Sequence, residues 1–338
     1  MYKIFGSENS PYSIKVRAYF LYKGIPHEWI VRNADSQEEY GKYAKLPIIP
    51  AVATPSGEGM QDSTPIIESL EERFLERSLK PSDRVLQFIS LLLEDFGDEW
   101  GNKWMFHYRW AREVDQREVS QRLAQEMAGG TSGPQVEQMA QMIMKRMSGR
   151  GFAIGSNEKT APLIEQSFKD GIVALDRHLA NRQFLLGGRP SMADFGIAPQ
   201  LYEALIDPTA GQVMREMAPK VVDWCTRMLA PSANGDFESW AALRGTLEPF
   251  LQLHVKMYLK WSAANAEALT AGANEMVVEL EGGQWWQTVG GPQKYHVKAL
   301  RELQRKYKQY AGSVELDDIL DRCGCRPVLA NTGGVAKL

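Results

Sequence analysis

Hydrophobic and polar positions in the first 80 residues alternate between the spacing of strands and the spacing of helices. Short strand-like runs predict strands over residues 2–5, 28–31, 48–53 and 59–61. Apolar residues repeating on one helical face predict helices over residues 11–22 and 63–74. The polar stretch over residues 80–83, which contains Pro81, then predicts a linker.

From residue 84 onward the apolar positions follow helical spacing almost throughout. A long amphipathic pattern covers residues 85–115, and further helices are predicted over residues 136–147, 162–180, 192–206, 219–229 and 237–268. Strands followed by a run of helices predict two separate units rather than one wound α/β sheet. We therefore expect an α/β domain over residues 1–80 and an all-helical domain over residues 84–270.

The pattern changes again after residue 271. Two strand-like runs, over residues 276–281 and 284–289, flank Gly282 and Gly283 and predict a hairpin. Trp285 and Trp286 are neighbours in a strand and point to opposite faces, so we expect at least one of them to be buried. A basic amphipathic helix follows over residues 293–310. We expect residues 271–338 to form a C-terminal extension of hairpin and helix, and its residues 276–310 to pack on the helical domain near the acceptor pocket.

Composition adds general limits to this picture. The 338 residues are 44% hydrophobic and 24% charged, as in globular proteins, and the net charge of −3 argues against nucleic acid as a partner. We expect no membrane partner, because a span needs roughly 20 apolar residues and none is present. The N-terminus lacks the apolar run of a signal peptide, and three cysteines make no disulfide framework. We therefore expect a cytoplasmic protein.

Three local signals carry candidate chemistry. Ser10 and Pro11 begin the first predicted helix, as a favoured cap and first residue. This start is either only a cap or a site for an anion or thiolate, since free N–H groups at a helix start favour negative charge. Pro50 lies in a β-rich segment, where it requires a strand start, an edge or a cis bend. Asp62, Ser63, Thr64 and Pro65 then place polar groups at the start of the next predicted helix, where Thr64 and Pro65 can form its cap and first turn. No zinc-protease, CxxC or phosphate-loop motif is present, so we expect no metal.

Taken in order, the three signals resemble the glutathione-binding domain of the glutathione S-transferase superfamily, a thioredoxin-like fold. The resemblance is carried by Ser10-Pro11-Tyr12-Ser13-Ile14, by Ile49-Pro50-Ala51-Val52 and by Asp62-Ser63. The helical region adds Gly187-Gly188-Arg189-Pro190-Ser191-Met192-Ala193-Asp194. This segment is similar to the Gly-x-x-x-Ser/Thr-x-Ala-Asp element of that family. There Ser191 and Asp194 form a capping box, so we interpret them as structural. The resemblance covers roughly residues 1–230.

The resemblance implies a thioredoxin-like domain followed by an all-helical domain, and a transferase that activates glutathione for attack on a small electrophile. Ser10 is the implied catalytic residue of a serine-type member, because Phe5 stands where tyrosine-type members carry their Tyr. The residues implied to bind glutathione as co-substrate are Lys45, Ile49, Pro50, Asp62 and Ser63. The implied Ile49–Pro50 bond is cis.

An acceptor pocket is expected around Tyr12 and an aromatic stripe. The stripe consists of Trp100, Trp104, His107 and Tyr108, at helical spacing, and it fits a core as well as it fits a pocket. Asp95 and Glu99 are also one helical turn apart, a pair that an exposed helix would leave solvated.

Several alternatives stay open at this point. A non-catalytic glutathione-binding or scaffold protein would carry the same fold. A glutathione-dependent disulfide reductase is disfavoured, because position 10 is not Cys. Conjugation, dehalogenation, ether cleavage and isomerisation all use the same thiolate, so the acceptor is not defined by the fold. The resemblance also implies a homodimer.

Overall fold

A four-stranded mixed sheet forms the first part of the chain in a computed structural model that describes residues 1–291 and 293–331. Its strands are β1 (Tyr2–Gly6), β2 (His27–Val31), β3 (Ala51–Ala53) and β4 (Gly59–Gln61), in the order β2-β1-β3-β4. β1 runs parallel to β2 and antiparallel to β3, which is antiparallel to β4. β3 is shorter than predicted, because Pro50 has no N–H to donate to the ladder.

Three helices accompany this sheet: α1 (Pro11–Lys23), α2 (Gln37–Tyr43) and α3 (Ser63–Arg73). α1 begins at its cap Ser10 and ends at Gly24, whose φ of 67° suits a residue without a side chain. Its Val16 and Phe20 are fully buried in the core shared with the helical region. This small mixed sheet followed by a helical region confirms the predicted fold class.

The helical region follows from residue 84. Its helices are α4 (Arg84–Phe96), α5 (Asn102–Ala111), α6 (Glu113–Met127), α7 (Pro134–Ser148), α8 (Ala161–Leu179), α9 (Met192–Leu205), α10 (Pro208–Met217), α11 (Pro219–Arg227), α12 (Trp240–Phe250) and α13 (Lys256–Thr270). Two π-helical turns, Gly97–Gly101 and Leu251–Val255, join α4 to α5 and α12 to α13. The predicted continuous pattern over residues 85–115 is wrong at Arg112, whose extended backbone separates α5 from α6.

Helix α9 lies at the centre of the helical region and is buried along most of its length. The main-chain N–H of its cap, Ser191, donates to the Asp194 carboxylate at 2.9 Å. The same carboxylate accepts from the Leu185 N–H at 2.8 Å and from the Trp224 indole at 3.1 Å. The prediction that Ser191 and Asp194 are structural is therefore confirmed.

The C-terminal segment consists of β5 (Glu275–Leu280), β6 (Gly283–Thr288), α14 (Gln293–Lys308), α15 (Val314–Arg322) and α16 (Arg326–Ala330). β5 and β6 form the predicted antiparallel hairpin, with Gly282 in the left-handed region at its turn. Trp285 is fully buried, with its ring centre 5.5 Å from that of Trp100 and 6.4 Å from that of Trp261. The predicted packing of hairpin and helix on the helical region is confirmed.

Candidate functional site

Three segments of the chain meet at one edge of the four-stranded sheet. Phe5 of β1 lies opposite Ala51 of β3, and Ala51 lies opposite Gln61 of β4. The loop after β1, the residue before β3 and the turn after β4 therefore leave the sheet side by side. These three positions carry Ser10, Pro50 and Asp62.

Ser10 is the N-cap of α1. Its Oγ accepts a hydrogen bond from the main-chain N–H of Ser13 at 3.3 Å. A serine hydroxyl has one donor and two acceptor positions, so this contact leaves the O–H of Ser10 available to donate. The N–H groups of the first turn and the helix dipole favour negative charge at the same place.

The loop before Ser10 is held by the helical region through Glu126 of α6. One carboxylate oxygen of Glu126 accepts from the Ser7 hydroxyl at 2.5 Å and from the Asn9 amide at 3.1 Å. The other accepts from the main-chain N–H of Glu8 at 2.5 Å. Three consecutive residues before Ser10 are thus fixed by one side chain.

Two arginines also hold the same loop. Arg109 of α5 donates to the carbonyl oxygen of Asn9 at 3.1 Å, and Arg122 of α6 donates to its side-chain oxygen at 3.2 Å. Arg109 is itself paired with Asp207 at 2.6 Å and with Glu203 at 2.7 Å, and all three are buried. Arg122 also pairs with Asp207. We call this group the Asn9 clamp: Arg109, Arg122, Glu126, Glu203 and Asp207.

Asp62 stands in an unusual backbone conformation at the start of α3. Its φ of 73° is rare for a residue with a side chain, and such strain costs about 1–3 kcal/mol and is found mostly at functional sites. The Asp62 carboxylate accepts a hydrogen bond from the Tyr295 hydroxyl of α14 at 3.1 Å. The next residue, Ser63, is buried. The C-terminal segment therefore reaches the end of the site that is expected to bind the γ-glutamyl group.

The segment before β3 is arranged by Gln61. Its side-chain oxygen accepts from the main-chain N–H groups of Lys45 at 2.7 Å and Leu46 at 3.0 Å. The Ile49–Pro50 bond is cis, which confirms that prediction. Pro50 is buried, whereas Lys45 is exposed. The roles of these residues in binding glutathione stay predictions.

The residues predicted for an acceptor pocket do not share one cavity in the described part of the chain. Tyr12 donates to the carbonyl oxygen of Asp98 at 2.9 Å, beside the Ser10 loop. Trp100 packs against Trp285 of the C-terminal segment. Trp104 is fully buried and donates to the Ser167 hydroxyl at 2.7 Å.

The last two members of the aromatic stripe face other surroundings. The Tyr108 ring centre lies 4.7 Å from that of Phe168 in the helical core. His107 lines a separate cavity of about 320 Å³ bounded by α5 and by the turn after α7. The stripe therefore divides among the C-terminal segment, the core and this second cavity.

A buried lysine joins α1, α3 and α4 below the sheet edge. Lys15 Nζ lies 2.5 Å from Glu94, 2.6 Å from Asp98 and 2.9 Å from the Thr64 hydroxyl. Burial lowers the pKa of Lys15, but Asp98 and Glu94 together raise it above its ordinary value. Lys15 therefore stays charged and fixes the position of α1 relative to α4.

Next to this group lies a cavity of about 250 Å³ between α3, α4 and α14. Its acidic and basic lining residues are Asp62, Glu68, Glu94, Asp95, Asp98, Glu99, Lys298, Glu302 and Lys306, and Tyr295 lies among them. Lys306 pairs with Glu68 at 2.5 Å. Part of the basic face of α14 is thus turned onto acidic residues of the same chain.

Asp95 and Glu99 differ from the expected solvated pair because α14 covers them. Burial and the charge of Glu99 raise the pKa of Asp95 to about 8. The Tyr258 hydroxyl donates to Asp95 at 2.5 Å. Burial also raises the pKa of Glu99 to about 7, and its carboxylate hydrogen-bonds the Nδ1 of His296 on α14.

Two basic groups complete this arrangement, which we call the Glu99 cluster (Asp95, Glu99, Lys103 and His296). Burial lowers the pKa of Lys103 to about 7, and its Nζ lies 3.6 Å from the centre of the Trp261 ring. Burial also holds the pKa of His296 well below its ordinary value. At neutral pH the contact between α14 and the π-helical turn after α4 is therefore a hydrogen bond between a neutral His296 and a Glu99 that is near the midpoint of its titration.

Sequence reasoning missed the Asn9 clamp and Tyr295. Arg109 and Asn9 are 100 residues apart in the sequence, and Tyr295 and Asp62 are 233 residues apart. Neither pair belongs to a local motif, so no spacing in the sequence indicated these contacts. In residues 1–291 and 293–331 no group of three or more His, Cys, Asp or Glu side chains is arranged to hold a metal ion. Within the same residues no helix is long and apolar enough to cross a membrane.

Comparison with protein families matches residues 4–78 to the N-terminal domain of glutathione S-transferases and residues 137–227 to their C-terminal domain. No curated protein sequence matches the chain. Matching solved structures include a glutathione S-transferase from Rhodospirillum rubrum, at 18% identity and a TM-score of 0.43 over 74% of this chain and 92% of that one. A beta-etherase from Sphingobium sp. strain SYK-6 matches at 17% identity and a TM-score of 0.45, over 73% and 99%. A maleylacetoacetate isomerase from Anaeromyxobacter dehalogenans with bound glutathione matches at 19% identity and a TM-score of 0.35, over 67% of this chain and 89% of that one.

Proposed function

Because this chain belongs to the glutathione S-transferase superfamily, we propose that it is an enzyme that binds glutathione and directs its thiolate at an electrophilic small molecule. The observation that carries the proposal is the shared sheet edge at which Ser10, with its O–H available, lies beside Asp62 with its strained backbone. In this proposal Asp62 and Ser63 hold the γ-glutamyl end. Ile49 holds the cysteinyl part, and Lys45 holds the glycine carboxylate.

The proposed role of Ser10 is to stabilise the thiolate. A free thiol has a pKa near 8.5, and lowering it by ~2 units needs ~2.7 kcal/mol. A helix start supplies about 0.3–1 kcal/mol, and at most ~2. A hydrogen bond to a charged group supplies ~1.5–3 kcal/mol. The Ser10 hydroxyl and the first turn of α1 therefore suffice together, and the Asn9 clamp keeps both in place.

In the reaction the glutathione sulfur attacks the electrophilic atom of the acceptor, and a thioether forms as the leaving group departs with its electron pair. The proton of the thiol has already passed to solvent, so no further base on the protein is required. Tyr12, which lies beside the Ser10 loop, is the residue of the expected acceptor pocket that we place next to the sulfur.

Replacement of Ser10 tests this proposal. Ser10→Ala should lower turnover by roughly 10- to 100-fold, the equivalent of ~1.5–3 kcal/mol, and should shift the pH dependence of conjugation to higher pH. Glutathione affinity should change little, because the peptide contacts remain. Asp83→Ala is a matched control, since Asp83 caps α4 through the Val85 N–H at 2.7 Å and lies outside the site.

The outcomes separate the alternatives. Full activity and an unshifted pH profile in Ser10→Ala would mean that Ser10 is only a helix cap. A wild-type protein that is retained on immobilised glutathione but has no turnover would support the non-catalytic glutathione-binding or scaffold protein instead.

We also propose that the chain acts as a homodimer, as the family resemblance implies. Light scattering at micromolar concentration should then give twice the 38.0 kDa mass of the chain. A particle of the single-chain mass would contradict this.

A further inference from the structure

Three side chains form a hydrogen-bonded network between α5, α8 and the turn before α8. Ser156, in the turn before α8, has its Oγ 2.8 Å from Nδ1 of His107 on α5. The other ring nitrogen of His107, Nε2, lies 3.1 Å from Oε1 of Glu165 on α8. Arg112 donates to the same Glu165 oxygen at 2.5 Å. A nucleophile, a base and an acid that orients the base are therefore in hydrogen-bond contact.

The charges determine which atoms donate and which accept in these hydrogen bonds. Burial opposes ionisation of Glu165, but hydrogen bonds from His107 and Arg112 hold its pKa below the ordinary value. An ionised Glu165 can only accept, so Nε2 of His107 carries the hydrogen and donates. Nδ1 is then the free acceptor and takes the hydrogen bond of the Ser156 hydroxyl. Burial also lowers the pKa of His107, so the ring is neutral and able to act as a base at pH 7.

The hydrogen-bonded side chains reach a cavity at Ser156. His107 and Ser156 both line the cavity of about 320 Å³ described above, and Ser156 is partly exposed. This volume lies at the lower end of the range of small-ligand sites, roughly 300–1,000 Å³. Phe106, Trp110 and Phe152 form part of its lining, and polar groups form the larger share. The cavity can therefore hold a small polar ester with one aromatic ring, its carbonyl carbon next to Ser156.

We propose that Ser156 and His107, oriented by Glu165, form a second centre that hydrolyses small aryl esters without glutathione. Ser156 Oγ attacks the ester carbonyl carbon and its proton passes to His107. The bond to the aryl oxygen breaks, and the leaving phenolate takes that proton. Water, deprotonated by His107, then attacks the acyl-serine, which releases the carboxylic acid and restores Ser156. The centre is independent of Ser10 and of the proposed transferase reaction.

The test uses the full chain without glutathione, with p-nitrophenyl acetate as substrate and a fluorophosphonate as covalent label. The label should appear on the tryptic peptide of residues 151–159, in which Ser156 is the only serine. Ser156→Ala should abolish the label and lower hydrolysis at least about 100-fold, the size of a lost nucleophile or base. Ser132→Ala, in an exposed turn, is the matched control and should change neither.

Glu165 is a positioning residue, so its variants need a finer readout. Glu165→Gln should slow labelling of Ser156 about 10-fold and move the pH profile of hydrolysis, and Glu165→Asp should restore part of the rate. No label on residues 151–159, or equal hydrolysis in Ser156→Ala and wild type, would overturn the proposal. The three side chains would then be a structural hydrogen-bond chain only.

Discussion

Two buried polar groups, the Asn9 clamp and the Glu99 cluster, connect distant parts of this chain. They differ in how they accommodate ionisable side chains in the interior. In the Asn9 clamp, Arg109 meets Asp207 and Glu203 at 2.6 and 2.7 Å, so opposite charges are matched. In the Glu99 cluster, burial outweighs pairing, and the pKa values of both Glu99 and Lys103 move to about 7. Burial also raises the pKa of Glu203 to about 7, so what distinguishes the clamp is that its buried cation, Arg109, keeps its charge, whereas the buried cation of the Glu99 cluster, Lys103, titrates near neutrality.

The difference has a consequence for what each group holds. Burial lowers the pKa of Arg109, but Glu203 and Asp207 together raise it above its ordinary value, so Arg109 stays charged and keeps its hydrogen bond to the Asn9 carbonyl across the neutral pH range. The charge state of the Glu99 cluster changes near neutrality, so the attachment of α14 depends on pH. The same distinction predicts opposite responses to mutation.

The largest effect is expected from breaking the clamp. Arg109→Ala leaves Glu203 and Asp207 buried with fewer partners, and loss of one partner of a buried pair costs about 3–5 kcal/mol. Urea unfolding should show this loss, and turnover should fall because the Ser10 loop is released. Arg117→Ala is the control, because its pair with Glu113 is exposed. An unchanged unfolding midpoint in Arg109→Ala would show that the clamp is not needed.

A smaller effect, visible only as a pH dependence, is expected from Glu99→Gln. Folding raises the pKa of Glu99 from 4.5 to about 7, because burial disfavours the ionised form. The contribution of Glu99 to the free energy of unfolding is therefore fully present below pH 4.5 and is lost as the pH rises through 7. Gln cannot ionise, so the variant should be spared a loss on the order of 3 kcal/mol over this window. Buried neutral His296 acts in the opposite direction below pH 6.5 in both proteins.

The measurement for Glu99 is urea unfolding at pH 5, 6.5 and 8. Glu279→Gln in the exposed face of the hairpin should keep the wild-type slope. Parallel pH slopes for Glu99→Gln and wild type would remove the distinction between the two groups.

The smallest effect concerns the contact between α14 and the candidate site. Tyr295→Phe removes the hydroxyl that donates to Asp62 at 3.1 Å, and an ordinary hydrogen bond contributes about 0.5–1.5 kcal/mol. Glutathione should bind about 2- to 10-fold more weakly, as measured by calorimetry. Tyr310→Phe, on the same segment but bonded to Gln87 of α4, should bind normally. Tighter binding by Tyr295→Phe would mean that the hydroxyl competes with glutathione.

Local chemistry explains which features the sequence predicted. Ser10, with proline behind it, predicts a helix start from its own side chain, and paired glycines predict the hairpin turn. Ser191 and Asp194 are three residues apart and satisfy each other directly. In each case the partners lie within a few residues, so the pattern alone contains the information.

The remaining features depend on contacts between distant segments. Asp95 and Glu99 have the spacing of a solvated pair, and only the arrival of α14 buries them. The extended backbone at Arg112 interrupts the predicted long helix. No proline or glycine lies next to Arg112, so no signal in the sequence indicated a break there. The spacing of the aromatic residues in the stripe did not indicate which of them lie in the core and which line a cavity, because both environments favour the same side chains.

The contact of α14 with the first part of the chain also sets an order of events during synthesis. Tyr295 follows Asp62 by 233 residues. At about 5–20 residues per second, translation leaves a nascent chain for roughly 10–50 seconds with Asp62 made and its partner not yet made. Until Trp285 and α14 are made, Trp100 lacks its partner in the hairpin and the acidic cavity lacks one wall. A ribosome that stops before α14 would release a product with Ser10 but an uncovered interior, so the contact with Asp62 forms only in chains made through Tyr295.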